Sequence, residues 1–145
     1  MKKPVVGFGQ HLMVDGYGCG NDRLIDLDGI YEFLNKCPDL IKMTKIMPPY
    51  VFKYTGKYPQ DWGLSGFVLI AESHISVHTF PEKSYLSLDV FSCKNFDYRV
   101  ALEYATEHFQ IGNYEVKFLD RGLEFPREIQ AVSHYLRDER KQMRI

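Results

Sequence analysis

The chain has 145 residues, 45% of them apolar and 14% aromatic, which is globular composition sufficient for one domain around one moderate core. Its formal net charge of −1 offers no field for a polyanion, so no nucleic acid is expected as a partner. The three cysteines, Cys19, Cys37 and Cys93, fit neither a disulfide framework nor a CxxC zinc site, no run reaches the ~18–20 apolar residues of a membrane span, and Met1-Lys2-Lys3-Pro4 lacks a signal peptide's apolar core, so the expectation is a soluble, cytoplasmic protein with no membrane partner.

In chain order, Val5 to Asp15 reads as a first strand, closed by the turn-rich Gly16-Tyr17-Gly18-Cys19-Gly20-Asn21-Asp22. Asp26 or Asp28 caps a short helix carrying Ile30, Phe33 and Leu34, which Pro38 is expected to end. Met43 to Tyr54 is strand-like, and Pro48-Pro49 marks it as an edge or a bulge. After a polar loop over Lys57 to Trp62, Leu64 to Ala71 is an apolar run suited to a buried strand. His74 to Phe80 and Tyr85 to Ser92 are two further strands. Tyr98 to Phe109 is helical, Tyr114 to Leu119 is a strand, and Ile129 to Met143 is a charged terminal helix. Strands in succession with two or three helices predict an α+β fold, a mainly antiparallel sheet with helices on one face, as a single domain over residues 1–145.

Register follows from the turns. Pro81-Glu82-Lys83-Ser84 joins two strands, and symmetry about Lys83 sets Ser73 opposite Cys93 and His78 opposite Leu88. A second hairpin turning at Ala71-Glu72 sets Ser65 opposite His78. Ser73 and His78, five residues apart on one strand, are then ~16 Å apart, too far for direct proton transfer. If all four act in one site, the two pairs come from different subunits of a two-fold homodimer or larger assembly, with a composite site.

The string Ala71-Glu72-Ser73-His74-Ile75-Ser76-Val77-His78-Thr79-Phe80-Pro81-Glu82 resembles the processing-site signature of the S-adenosylmethionine decarboxylases, a pyruvoyl-dependent family. Gly63-Leu64-Ser65-Gly66, Leu88-Asp89-Val90-Phe91-Ser92-Cys93, and His11-Leu12 with Asp15 and Gly18-Cys19 fit the small prokaryotic form. The resemblance covers roughly residues 7–120. It implies self-cleavage between Glu72 and Ser73 into residues 1–72 and 73–145, with Ser73 as precursor of a covalent pyruvoyl group. It also implies that His78 and Ser65 assist processing, that Cys93 donates a proton in decarboxylation and that Glu82 holds the substrate ribose. The family's adenine-stacking position falls on Pro59, which leaves Tyr58 or Trp62 to stack.

The chemistry needs these residue types. A serine hydroxyl attacks the preceding carbonyl, loss of the α-proton eliminates the carboxylate, and hydrolysis leaves a pyruvoyl end. Its carbonyl forms a Schiff base with the substrate amine and serves as electron sink in place of PLP, so no added cofactor is required. A histidine titrating near neutrality suits the proton abstraction, and a thiol suits protonation at carbon. Arginine or ornithine decarboxylases of the same superfamily would share this machinery with another substrate shell, in which Asp61 could meet a cationic group. A non-catalytic partner subunit is the alternative of another class. Blander readings stand beside these. His74 reads as structural. His74 and His78 are ~13 Å apart on a strand, so no metal is expected. Cys19 and Cys37 read as buried apolar residues. His11 and Asp15 are as readily structural as functional. A hydrolase triad of Ser73, His78 and Asp89 lacks a GxSxG elbow.

Overall fold

The computed structural model describes residues 9–122. Six strands, β1 (Gly9–Tyr17), β2 (Tyr50–Thr55), β3 (Trp62–Ile70), β4 (Ser73–Phe80), β5 (Tyr85–Ser92) and β6 (Asn113–Arg121), accompany three helices, α1 (Asn21–Leu24), α2 (Leu27–Leu40) and α3 (Tyr98–Phe109). The strands form one antiparallel sheet in the order β2-β3-β4-β5-β1-β6. This is the α+β architecture expected from the sequence. The expected terminal helix over Ile129 to Met143 lies outside the described residues, as does the start of the first strand at Val5.

Alternation along the strands builds the core. Leu12 and Val14 on β1, Ile75 and Val77 on β4, and Leu86, Leu88 and Val90 on β5 are all buried, because every second side chain points to the same face. The amphipathic helices cover that face. Helix α2 contributes Ile30, Phe33, Leu34 and Cys37, and α3 contributes Ala101, Ala105 and Phe109. Phe33 stacks on Tyr104 and meets Phe109 edge-on, each at 5.0 Å between ring centres. Burying each large apolar side chain contributes about 1.5–3 kcal/mol. Gly66 lets α2 approach β3 closely, since a Cβ there would lie 2.8 Å from Leu34 Cδ1.

Asp26 is the cap of α2, its carboxylate accepting the Gly29 N–H at 3.0 Å. Pro38 does not end this helix. It sits within it, and the helix runs on to Leu40. A proline so near the C-terminus removes one backbone hydrogen bond and leaves few turns to disrupt, whereas in mid-helix it would break the run. The proline pair does mark an edge: β2 starts only at Tyr50, after Pro48-Pro49, and lies at one side of the sheet.

The hairpin registers divide. Ser65 pairs with His78 as expected. Ser73 pairs with Ser92, not Cys93, and His78 with Ser87, not Leu88. Pro81 to Lys83 form a 3₁₀ turn and Ser84 closes it at φ 50°. The closing pair is therefore Phe80 with Tyr85. An even number of loop residues puts the symmetry centre between Glu82 and Lys83, and the whole register shifts by one.

The face away from the helices is open. Tyr17, Tyr50, Phe52, Tyr54, Leu69, Phe80 and Leu119 are each exposed, and pairing across the strands places them on this side of the sheet with Ser65, His74, His78 and Asp89.

Candidate active site

Two clusters occupy the open face and its end. The first surrounds the two-residue turn Ala71-Glu72 between β3 and β4. Ser73 follows it at φ 155°, a conformation that costs a non-glycine residue of order 1–3 kcal/mol and persists only where its surroundings hold it. The other described non-glycine residues with positive φ, Lys42, Ser84 and Gln110, lie between 50° and 61°, in the ordinary left-handed well. The surroundings that hold Ser73 are specific. The Cys93 backbone N–H donates to the Glu72 carbonyl at 2.9 Å, and the Ala71 N–H donates to Thr44 O at 2.8 Å. The Thr44 N–H in turn reaches Glu72 Oε2 at 3.2 Å. The turn is thus clamped from the chain before β2 and from the chain leaving β5.

The clamp repairs the consequence of the register shift. Cys93 is not the strand partner of Ser73, yet it lies one residue past Ser92 and hydrogen-bonds across the Glu72–Ser73 junction. Cys93 is exposed, while Cys19 and Cys37 are buried. Burial pushes the Cys19 thiol up to about 11 and the Cys37 thiol up to about 12, which keeps both inert, as read from the sequence.

The sequence reading missed one neighbour. His74 Nδ1 lies 3.1 Å from Ser73 Oγ, so a residue expected to be structural touches the candidate nucleophile. Adjacency in the chain was the available signal, but side chains of consecutive strand residues normally diverge. The structure nonetheless places the two side chains in contact. Around His74 stand Leu69 on β3 and Phe91 on β5. Beyond Phe91, His11 Nε2 meets Asp89 Oδ1 at 2.8 Å, and the Arg121 guanidinium lies 4.2 Å from the Phe91 ring centre. Half-burial first, then His11 and Arg121, hold the His74 imidazole below its ordinary pKa. The triad of Ser73, His78 and Asp89 does not form. Asp89 faces His11, and His78 faces Ser65. Asp15 accepts from the Tyr85 hydroxyl at 2.6 Å.

The second cluster lies at the far end of β4. His78 Nδ1 and Ser65 Oγ are 2.8 Å apart in a cleft of about 310 Å³ that also has Phe52, Tyr54, Trp62 and Phe80 on its walls. An adjoining cleft of about 300 Å³ is lined by Tyr58, Trp62 and Glu82, with Asp61 and Phe80 shared by both. Trp62 Nε1–H donates to Glu82 Oε1 at 3.0 Å, and the Lys53 ammonium lies 5.1 Å from the Trp62 ring centre. Tyr58, Trp62 and Glu82, singled out separately in the sequence, therefore stand together.

Comparison with known proteins decides the family. The model of a family described as S-adenosylmethionine decarboxylase matches residues 10–122. The chain belongs to the S-adenosylmethionine decarboxylase family. An S-adenosylmethionine decarboxylase proenzyme of Clostridium botulinum (strain Langeland) is 38% identical over 115 residues, covering 79% of this chain and 94% of the relative. A proenzyme of the same description from Pyrococcus horikoshii is 37% identical over 117 residues, 80% of either chain. The crystal structure of the adenosylmethionine decarboxylase from Aquifex aeolicus superposes with a TM-score of 0.65 at 28% identity, over 81% of this chain and 92% of that one. The resemblance carried by the Glu72-Ser73-His74 string is therefore borne out, and the chain is a carboxy-lyase of this family. No helix among the described residues is long and apolar enough to cross a membrane.

Proposed function

We propose that this chain is a proenzyme that cuts itself between Glu72 and Ser73, leaving residues 1–72 and 73–145, and that the mature enzyme decarboxylates S-adenosylmethionine to supply aminopropyl groups for spermidine synthesis in the cytoplasm. The observation that carries this reading is Ser73, held at φ 155° beside a peptide whose carbonyl accepts the Cys93 N–H. Attack by Ser73 Oγ puts negative charge on Glu72 O, and a backbone donor already aimed at that oxygen stabilises the charge as it forms.

The residues present fit a pyruvoyl group made from Ser73. A hydroxyl adjoins a strained junction, the neighbouring carbonyl is held by a donor, and an exposed thiol belongs to that donor's own residue. Once formed, such a group supplies a carbonyl electron sink for loss of CO₂. Cys93 delivers a proton to the substrate carbon that has lost CO₂. Glu82 accepts the ribose hydroxyls, and the indole N–H of Trp62 fixes its carboxylate. Tyr58 or Trp62 stacks on the adenine. His78 and Ser65 move protons during processing.

Ser73 and His78 stand at opposite ends of β4, ~16 Å apart along the strand. One chain therefore does not close the site. A second copy, its open face packed on this one, brings Ser65 and His78 to the partner's processing junction and repeats the arrangement twice. The aromatic and aliphatic residues exposed on that face support this, since a contiguous apolar sheet surface of this kind is buried in a stable assembly. Sedimentation at micromolar concentration is expected to give a dimer or larger, and Phe52→Glu is expected to shift it toward monomer. A monomer that is processed and active would sink the composite site.

The deciding test of function is release of labelled CO₂. Release from S-adenosylmethionine by the processed protein is the expected result. Release from arginine or ornithine instead would assign the substrate shell around Asp61 to a cationic amino acid.

A further inference from the structure

The contact between Ser73 Oγ and His74 Nδ1, 3.1 Å, sits at the atom that must lose a proton for cleavage to begin. We propose that His74 is the base of the first step of self-processing, acting within one chain, and that the pair Ser65–His78 is not needed until a later step. This deepens the assignment of Glu72–Ser73 as the cleavage junction and rests on it.

The step balances as an isomerisation. Ser73 Oγ forms a bond to the Glu72 carbonyl carbon while its proton passes to His74 Nδ1. The bond from that carbon to the Ser73 nitrogen then breaks, and His74 returns the proton to the nitrogen. An ester replaces the peptide, with no oxidant, reductant or outside reactant. The Cys93 N–H holds the oxygen that carries charge in between. For Nδ1 to accept, the ring carries its proton on Nε2, and it must be neutral.

The surroundings keep it neutral. Leu69 on β3 and Phe91 on β5 are its strand partners, and the Phe91 ring centre lies 5.8 Å from that of the imidazole. The titratable and charged groups facing it are His11 on β1, Asp89 on β5 and Arg121 on β6, with Glu72 in the turn before it. Asp89 is engaged by His11, and Arg121 disfavours a second positive charge nearby. By contrast, no route within one chain joins His78 to Ser73, because five residues of strand separate them.

The test traps the ester. Freshly translated full-length proenzyme is allowed to process, with or without hydroxylamine, and intact masses are read over time. Hydroxylamine converts an ester at this junction into residues 1–72 ending in a hydroxamate and 73–145 beginning with an unmodified serine. His74→Ala and His74→Gln are expected to slow formation of hydroxylamine-sensitive ester at least about 100-fold, within the usual range for losing a general base. His78→Ala is expected to form the ester and stall afterwards. His74 variants that form ester at the wild-type rate would overturn the proposal, as would variants that accumulate it. Should neither variant retain the circular dichroism of the parent, the wild-type protein decides. Its ester formation is expected to fall away with a midpoint below pH 6.5, and a flat profile from pH 5 to 8 would refute the role. A wild-type chain never cut after Glu72 would instead refute the junction itself.

Discussion

A Ser73→Ala chain is expected to remain a single uncut polypeptide under denaturing conditions, where the parent is expected to give two pieces, residues 1–72 and 73–145. The effect is expected to be all or none, because the hydroxyl supplies the attacking oxygen and then leaves with the Glu72 carboxylate, the elimination that opens Ser73 to hydrolysis into a pyruvoyl end. If the proposed processing holds, without Oγ there is no ester, no elimination and no carbonyl electron sink, so decarboxylation is expected to be lost as well. The substitution is structurally mild. Ser73 is the first residue of β4 and pairs with Ser92 through the backbone, which alanine retains. The Cys93–Glu72 and Thr44–Glu72 hydrogen bonds that clamp the turn do not use the Ser73 side chain. A loss of cutting with unchanged circular dichroism therefore reports on chemistry. A Ser73→Ala protein that still splits at this position would move the junction elsewhere.

Cys93→Ala is expected to separate the two halves of the reaction. Cutting should persist, because the group that holds the Glu72 carbonyl is the backbone N–H of residue 93, not its sulfur. Decarboxylation should fall about 10²–10⁴-fold, the range for removing a positioned proton donor. The enzyme should also lose activity progressively with turnover, as protons reach the cofactor instead of the substrate carbon. Intact mass and CO₂ release, measured on the same preparation, check both halves. An uncut Cys93→Ala chain would mean that the thiol itself takes part in processing, and an unimpaired rate would assign the donor to another residue. Cys19 and Cys37 cannot substitute for it, since both lie in the core.

Much of the fold was legible because its elements are locally consistent. The helix Tyr98–Phe109 has the bounds read from its apolar spacing. The pairing of Ser65 with His78 follows from a two-residue turn at Ala71-Glu72, which leaves no freedom of register. The longer turn after β4 did leave such freedom. Nothing in Pro81-Glu82-Lys83-Ser84 states whether the strands close on an odd or an even loop, and the 3₁₀ geometry with Ser84 in the left-handed well decided it. Pro38 departs from expectation for a related reason, since a helix-ending residue and a tolerated one look alike until the packing of α2 is known.

The sequence by itself determined the family of this protein. A serine after a glutamate at a tight turn, a histidine five residues on, a later cysteine and two strands to carry them specify the family and the residues to suspect. Only the tertiary structure decided which of those groups meet. It turned the Cys93 amide, not its strand position, toward the Glu72 carbonyl. It set His74 against Ser73 Oγ, and it gathered Trp62 onto Glu82. The physical reason is range. Strand and turn preferences act over a few residues and can be read locally, whereas the orientation of a side chain or an amide depends on neighbours brought in from β1, β3 and the chain beyond β5, whose registers no single segment encodes.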